Sequence, residues 1–327
     1  MRHRISFVSL VVVALVLTSC GGNNPLSLTP VSYNANAWQE AVATSPFTAR
    51  GYATAVSYNG KIWIAGGEIS SGVYTNDVWS STDGISWTQA TNKAAFSRRY
   101  GHSMVVYDNK MWVMCGHDGS QFLRDAYYST DGENWTLANA NAFPSGRSGI
   151  RFVVYNNMLW AIGCYTTSPQ NTVYQSADGI NWTLVTNIAF TSGGRYHTAV
   201  CVFKDAMWVI GGTLNGQLTN DVYRSTDGGT WTRMSTFAGA SGRSFHGAFA
   251  GTEKMYYTSG QDSYGSETGT KQDVISSMDG ITWSTVTSSA GYGARTGAVI
   301  LVHNSKIWII AGKSDGSTYL KNVWNTH

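Results

Sequence analysis

Charged residues are scarce in this chain of 327 residues, where Asp, Glu, Lys and Arg together make up 13%. After the first twenty residues, no stretch has the apolar spacing of an amphipathic helix. Glycine, with 36 residues, and the aromatic residues, at 13%, are plentiful instead. This balance favours short strands joined by tight turns, and it argues against a disordered chain.

Cysteine is scarce too. Beyond the N-terminal segment only Cys115, Cys164 and Cys201 are left, without the spacing of a metal or redox motif. We expect three buried thiols, because free cysteine is among the most buried residue types; a Cys115–Cys164 bridge is the alternative in an oxidising compartment. The histidines also lack short ligand spacing, so we expect no metal ion and no other cofactor.

The N-terminus carries the features of a targeting segment. Residues 1–4 are basic, and residues 5–17 are almost wholly apolar but too few for a comfortable membrane span. The ending Leu17-Thr18-Ser19-Cys20 resembles the lipobox of bacterial lipoproteins. That resemblance implies cleavage before Cys20 and lipidation of this residue; an ordinary secretory signal is the alternative.

This interpretation gives boundaries and a location. We predict a signal peptide at 1–19, the lipidated cysteine and a flexible linker at 20–31, and a folded domain at 32–327. The protein would lie in the bacterial cell envelope, anchored by lipid in the outer membrane or at the cell surface. Cleavage removes Arg2 and Arg4 from 22 basic residues, which leaves 20 against 19 acidic ones. A net charge near +1 offers no field for nucleic acid.

One motif recurs along the folded domain. Ser81 to Trp87 reads Ser-Thr-Asp-Gly-Ile-Ser-Trp, and related copies end at Trp135, Trp182, Trp231 and Trp283, with a degenerate one at Trp38. The tryptophans are 47 to 52 residues apart. Such a period indicates a propeller or a solenoid. The Asp-Gly pair suits a tight reversal capped by the Ser, so we interpret this turn as structural.

A second regularity lies inside each repeat. An arginine precedes an aromatic residue by thirteen positions in all six repeats: Arg50/Trp63, Arg99/Trp112, Arg147/Trp160, Arg195/Trp208, Arg243/Tyr256 and Arg295/Trp308. The constant distance predicts two paired strands with a fixed turn, such as Asn59-Gly60 between apolar runs. Thr252-Glu253 suits that turn poorly, so the fifth repeat is expected to use another loop.

The remaining pattern defines a blade. Each second strand ends in small residues, and a variable loop, a third strand, the Asp-Gly turn and a fourth strand follow. Four strands without a helix indicate a propeller blade. The last repeat stops before its fourth strand, which residues 32–47 would supply. We therefore predict an all-β, six-bladed β-propeller with four antiparallel strands per blade, whose last blade is closed by the N-terminal strand and leaves no free sheet edge.

These residues resemble kelch repeats from Trp38 to the C-terminus: an Arg, a hydrophobic hairpin, a Gly-Gly pair, a third strand with Tyr or Trp, and a Trp in the fourth strand. The Asp-Gly turn also resembles the Asp-box of sialidase-type propellers, without that motif's residue between Asp and Gly. The kelch resemblance implies a partner-binding face near the arginines. It also allows an enzyme, because sialic acid mutarotases, sialidases and a galactose-oxidase-type copper enzyme have related propellers.

The candidate site residues lie where the chain enters each blade. We expect the six arginines to form a ring at one mouth of the central channel and to bind carboxylates with their forked donors. The alternative is that they bond backbone carbonyls or Asp77, Asp125, Asp221 and Asp273. Residues that depart from the repeat just after the arginines complete the candidate ligand-binding set: Tyr100, His102, Arg151, Tyr196, His197 and His246.

Three functions are consistent with these patterns. The first is a monomeric binding protein that holds a protein segment or glycan with acidic groups on its Arg- and aromatic-rich loop face. The second is a carbohydrate-active enzyme, which should show an asymmetric cluster of acid, His and Tyr with shifted pKa values. The third is a structural or adhesive array, whose channel mouth should be filled by its own side chains.

Overall fold

The computed structural model describes residues 38–236, 238–263, 268–315 and 318–326. The predicted signal peptide, Cys20, the linker and residues 32–37 of the predicted domain lie outside these ranges and stay predictions. No helix within the described ranges is long and apolar enough to cross a lipid bilayer.

The described residues form 26 strands, and the first of them, β1 (Trp38–Val42), belongs to the last blade. Blade 1 contains β2 (Thr54–Tyr58), β3 (Lys61–Ala65), β6 (Val78–Ser81) and β7 (Thr88–Thr91), with a small hairpin of β4 (Glu68–Ser70) and β5 (Val73–Tyr74). Blade 2 contains β8 (Ser103–Tyr107), β9 (Lys110–His117), β10 (Phe122–Ser129) and β11 (Thr136–Asn139). Blade 3 contains β12 (Arg151–Tyr155), β13 (Met158–Tyr165), β14 (Pro169–Ser176) and β15 (Thr183–Thr186).

The other three blades repeat this order. Blade 4 contains β16 (Ala199–Val202), β17 (Met207–Leu214), β18 (Gln217–Ser225) and β19 (Thr232–Ser235). Blade 5 contains β20 (Gly247–Ala250), β21 (Met255–Thr258), β22 (Val274–Ser277) and β23 (Trp283–Thr287). Blade 6 contains β24 (Val299–His303), β25 (Lys306–Ile310) and β26 (Val323–Thr326), and β1 is its outer strand.

The predicted six-bladed propeller is confirmed, including its closure. Strand β1 pairs antiparallel with β26, with Trp38 opposite Thr326. Across this pair, the Gln39 side-chain amide donates to Asn325 Oδ1 at 2.9 Å. The two ends of the propeller domain therefore share one sheet, and the last blade has the same four strands as the others.

The inner hairpins follow the predicted turn chemistry. Asn59 and Gly60 both have positive φ, as a tight hairpin turn requires, and the equivalent pairs in blades 2, 3, 4 and 6 do as well. The turn of the fifth repeat differs in backbone conformation, since neither Thr252 nor Glu253 has a positive φ. Its length is unchanged, because the Gly251 N–H donates to the Lys254 carbonyl as the Phe203 N–H does to the Ala206 carbonyl in blade 4.

The recurrent Asp-Gly turn is a blade-to-blade contact. In blade 2, the Gly132 N–H donates to Ser129 Oγ at 2.8 Å, and the Trp135 indole donates to the Gly132 carbonyl at 3.0 Å. Gly132 has a φ of +76°, and a Cβ there would lie 2.0 Å from the ring of Trp63 in blade 1. The same glycine–tryptophan packing recurs at Gly84–Trp308, Gly179–Trp112, Gly228–Trp160 and Gly280–Trp208. The structural interpretation of the motif is thus confirmed.

The hydrophobic core consists of six clusters, each between two neighbouring blades. Cys115 and Cys164 lie in the cluster between blades 2 and 3, and Cys201 in the one between blades 4 and 5. All three are buried and free, so the alternative bridge is not formed. Burial raises the pKa of Cys164 to about 11 and that of Cys201 to about 12.

Candidate binding face and central channel

The repeat arginines are internal. All six are buried, with at most 3% of their surface exposed. In blade 1, both terminal nitrogens of Arg50 donate to the carboxylate of Asp77, at 2.7 and 2.8 Å, and a third bond reaches the Gly66 carbonyl. Arg99, Arg195 and Arg243 bind their aspartates in the same way. Each pair therefore joins the start of a blade to its third strand.

Two blades depart from this pairing. In blade 6, Arg295 meets Asn322 Oδ1 at 3.0 Å instead of a carboxylate. In blade 3, Thr172 stands near the position of the aspartate, and no carboxylate among the described residues forms an ion pair with Arg147. Its guanidinium lies over the rings of Phe143 and Tyr174, at 4.4 and 5.0 Å from their centroids.

These contacts correct the expectation that Arg50, Arg99, Arg147, Arg195, Arg243 and Arg295 form a ring available to ligands. The terminal nitrogens of four of them donate to aspartates, and all six arginines are buried. Their constant position in the sequence reflects the folding of each blade. The alternative hypothesis, in which the arginines bond to backbone carbonyls and to Asp77, Asp125, Asp221 and Asp273, is confirmed for four of them.

The residues that follow the arginines build the mouth of the channel. The second residue after each arginine has a positive φ of 53° to 65° in all six blades: Tyr52, Gly101, Gly149, His197, Phe245 and Gly297. Backbone hydrogen bonds join five of the six neighbouring pairs, such as Tyr52 N–H to the Gly297 carbonyl at 2.8 Å. This ring of backbone groups, which we call the mouth ring, narrows the channel.

The side chains of the mouth ring lean over their neighbours. A Cβ on Gly297 would lie 2.5 Å from the ring of Tyr52, and one on Gly149 would lie 2.5 Å from the ring of His197. Because Tyr52, His197 and Phe245 adopt the same φ, it is the overlying rings that exclude a side chain at Gly297 and Gly149. Phe245 contacts both His197 and Tyr52, with ring centroids 3.7 and 4.8 Å apart, and all three residues line the small cavity at the mouth.

These three rings belong to a closed circuit of aromatic side chains. Neighbouring rings in the circuit have centroids 3.7 to 6.3 Å apart. We call this surface the aromatic face, and its members in order are Tyr52, Tyr100, His117, Phe122, Tyr165, Tyr196, His197 and Phe245. Tyr196 is buried and the other seven are half-buried, so most of the rings present surface to solvent. Tyr74 stacks on Tyr100 at 4.7 Å and extends the face over blade 1.

The aromatic face is asymmetric about the propeller axis. In each blade, the residue after the arginine forms a backbone β-bridge with the residue that follows the two small residues at the end of the second strand. In blades 2 to 4 these bridges carry aromatic side chains, as in Tyr100 with His117 and Ser148 with Tyr165. Blades 5 and 6 carry Ser244 with Gln261 and Thr296 with Lys313 at these positions. One side of the loop face is therefore aromatic and the other polar.

The predicted site residues divide between two places. Tyr100, Tyr196 and His197 lie in the aromatic face, and their role in binding a ligand stays a prediction. His102, His246 and Arg151 lie below the mouth ring, where together with His197 they line a cavity of about 50 Å³. The sequence reasoning missed Tyr52, Tyr74, Phe122 and Tyr165. Tyr52 and Tyr165 could have been found, because they occupy the repeat positions of His197 and His117.

The three histidines that line the small cavity, His102, His197 and His246, are neutral. Burial, with the charges of Arg99 and Arg151, lowers the pKa of His102 to about 3, and Thr54 Oγ1 lies 2.9 Å from its Nε2. Burial and the Arg151 charge lower the pKa of His197 well below the usual range, and burial with the charges of Arg243 and Arg151 does the same for His246. Within the described ranges, no group of three or more His, Cys, Asp or Glu side chains is placed to hold a metal ion.

Comparison with known proteins agrees with this architecture. Residues 11–212 match the family profile described as the KLHDC2/KLHL20/DRC7 kelch-repeats domain. The chain belongs to the kelch-repeat family. Residues 202–327 of this kelch propeller also match a profile described as the DUF6242 beta propeller domain.

One solved structure is similar to this kelch propeller over most of the chain. The structure titled "Structure of YjhT" is 15% identical, covers 86% of this chain and 96% of its own, and superposes with a TM-score of 0.69. At this identity the likeness establishes the fold. A search among curated proteins found no match.

Proposed function

We propose that this kelch propeller is a binding protein that holds an uncharged glycan against its aromatic face. The observation that carries the proposal is the closed circuit of eight aromatic side chains on one side of the loop face. Aromatic side chains combine a large apolar surface with little conformational freedom, and tyrosine adds a polar hydroxyl. The apolar face of a sugar ring packs on such a surface while its hydroxyls bond to the rim.

Rigid support favours this role. The face is built on the mouth ring and on backbone bridges such as Tyr100 N–H to the His117 carbonyl at 3.1 Å. Ring-to-ring contacts hold the side chains before any ligand arrives. Little ordering entropy would therefore oppose binding.

The charges near the face favour an uncharged ligand over an acidic one. The arginines expected to bind acidic groups are committed to internal partners. Asp118 follows His117 in the loop; its burial would raise its pKa, but hydrogen bonds from Gln121 and Ser120 outweigh this and lower it. The carboxylate is therefore ionised at neutral pH and would repel an acidic ligand.

A glycan array probed with residues 20–327, carrying Cys20→Ser, tests the proposal. Hits would be measured again by calorimetry with Tyr165→Ala and Phe122→Ala, and each variant should lose about tenfold in affinity, as expected for about 1.4 kcal/mol of lost ring contact. Leu137→Ala is the matched control, because Leu137 is a large apolar residue, 48% exposed on the outer strand β11. Binding that tolerates both face variants, or binding only to peptides, contradicts the proposal. Conversion of a bound sugar would instead favour the enzymatic alternative.

We further propose that the mature protein is anchored in the bacterial envelope through a lipid on Cys20. The support is the sequence of the leader and its Leu-Thr-Ser-Cys ending. In cells fed a labelled fatty acid, the wild-type protein should carry label and sediment with membranes. Cys20→Ser should do neither, and equal labelling of both proteins would refute the anchor.

A further inference from the structure

The axis of the propeller contains a second candidate site, separate from the aromatic face. A cavity of about 530 Å³ runs along it, lined by inner strands from all six blades. The lining is mainly aliphatic, with Val153, Val200 and Ile300 as examples. The cavity reaches the exposed hairpin residues Asn304 and Ser305 at the end opposite the aromatic face. Its size and apolar lining are those of sites for small organic ligands.

Arg151 lies at the inner end of this channel. It is the first residue of β12, it lines the 50 Å³ cavity below the mouth ring, and the next residue, Phe152, lines the large cavity. Thr54 and Ala55 divide between the two cavities in the same way. The small cavity therefore continues the large one along the axis.

The Arg151 guanidinium lacks a counter-charge. Its Nε donates to the Thr198 carbonyl at 2.8 Å, and no ion pair to it occurs in the described part of the chain. The side chains that share its cavity include three histidines, which burial keeps neutral. Arg151 is half-buried, and a cation partly withdrawn from water without a partner is costly; this fold pairs four of its buried arginines with aspartates.

We propose that the channel binds an amphipathic carboxylate, such as a medium-chain fatty acid, with its carboxylate on Arg151 and its alkyl chain along the aliphatic lining. The two terminal nitrogens of a guanidinium match the two oxygens of a carboxylate. The ligand supplies a negative charge opposite Arg151, and its chain lies against the aliphatic lining of the 530 Å³ cavity. Entry is from the hairpin end, so the ligand reaches Arg151 without crossing the aromatic face.

Calorimetry with a series of straight-chain carboxylates tests the channel in the wild-type protein. Affinity should rise about fourfold for each added methylene from hexanoate to decanoate, as expected for burial of the chain. Decanol, which has the same chain without the charge, should bind at least tenfold more weakly than decanoate. Formate binding as tightly as decanoate would reduce the site to one for small anions and overturn the proposal, as would equal binding of decanol and decanoate.

Two variants locate the site. Arg151→Gln should weaken decanoate binding about tenfold to a hundredfold and leave decanol binding unchanged. Ala248→Trp places an indole ring in the channel and keeps Arg151, so the affinity for carboxylates should no longer rise with chain length. Tyr165→Ala should bind decanoate like the wild type, since it belongs to the aromatic face. Unchanged decanoate binding in Arg151→Gln would overturn the proposal, whatever the glycan experiments show.

Discussion

Replacing Arg195 by methionine should destabilise the propeller far more than replacing Arg147. Arg195 binds Asp221 through two hydrogen bonds of 2.5 and 3.0 Å, and the aspartate side chain is only 7% exposed. Burial would raise the pKa of Asp221, but the hydrogen bonds and charge of Arg195 outweigh it and lower the pKa. Removing the cation thus leaves a carboxylate that is ionised and enclosed.

The size of the effect follows from these contacts. Breaking a buried pair by removing one partner costs about 3–5 kcal/mol, and hydroxyl donors from Thr219 and Ser192 place Arg195→Met near the lower end. Arg147→Met leaves no carboxylate behind and mainly loses a cation–aromatic contact, so it should cost about 1 kcal/mol. In the double variant Arg195→Met/Asp221→Leu, most of the loss should be recovered.

Equilibrium unfolding in urea, followed by tryptophan fluorescence, measures these differences. The slopes should be equal among the variants, so that the midpoints report stability. Equal losses for Arg195→Met and Arg147→Met would refute the reasoning. A double variant no more stable than Arg195→Met would refute it as well, because the cost would then not come from the stranded carboxylate.

Three further predictions follow from the fold. Gly132→Ala combines a left-handed φ with a Cβ placed 2.0 Å from Trp63, so it should cost about 3 kcal/mol in urea unfolding, whereas Gly60→Ala, at φ +71° with nothing within 4 Å, should cost about 1 kcal/mol. Removing residues 1–43 deletes β1 and exposes the edge of β26, so the protein should aggregate in gel filtration; a monomeric, folded product would contradict the closure. His102, His197 and His246 have pKa values in the folded protein below the unfolded value of about 6.5. The free energy of unfolding should therefore be at its full value above about pH 7.5. It should fall below about pH 6.5, by up to about 1.4 kcal/mol per pH unit for each histidine. His246→Gln should reduce that slope by about a third, and an unchanged slope would contradict the assignment.

The repeat predicted the blades because each one is held by local chemistry that recurs in the sequence. Asn59-Gly60 requires left-handed backbone, and Gly132 must lack a Cβ beside Trp63, so these positions are visible as a pattern. The exception at Thr252-Glu253 was visible for the same reason. The missing fourth strand of the last repeat indicated how the ring closes.

The candidate site was only partly predictable. The arginines looked available because their spacing shows where they lie along the chain and not which way they point; burial against Asp77 and its equivalents is a property of the folded blade. The aromatic face depends on contacts between blades, such as Tyr165 with Tyr196, which lie 31 residues apart. Arg151 stood out as a departure from the repeat, yet that no carboxylate of the described residues pairs with it shows only in three dimensions.

The most direct test of the glycan-binding proposal is fluorine NMR of the domain labelled with 3-fluorotyrosine, recorded while a glycan ligand is added. The account predicts that the resonances of Tyr100 and Tyr165 shift with the binding isotherm, while that of Tyr58, buried at the opposite hairpin end, does not move. Shifts confined to tyrosines outside the aromatic face, with Tyr100 and Tyr165 unmoved at saturation, would contradict it.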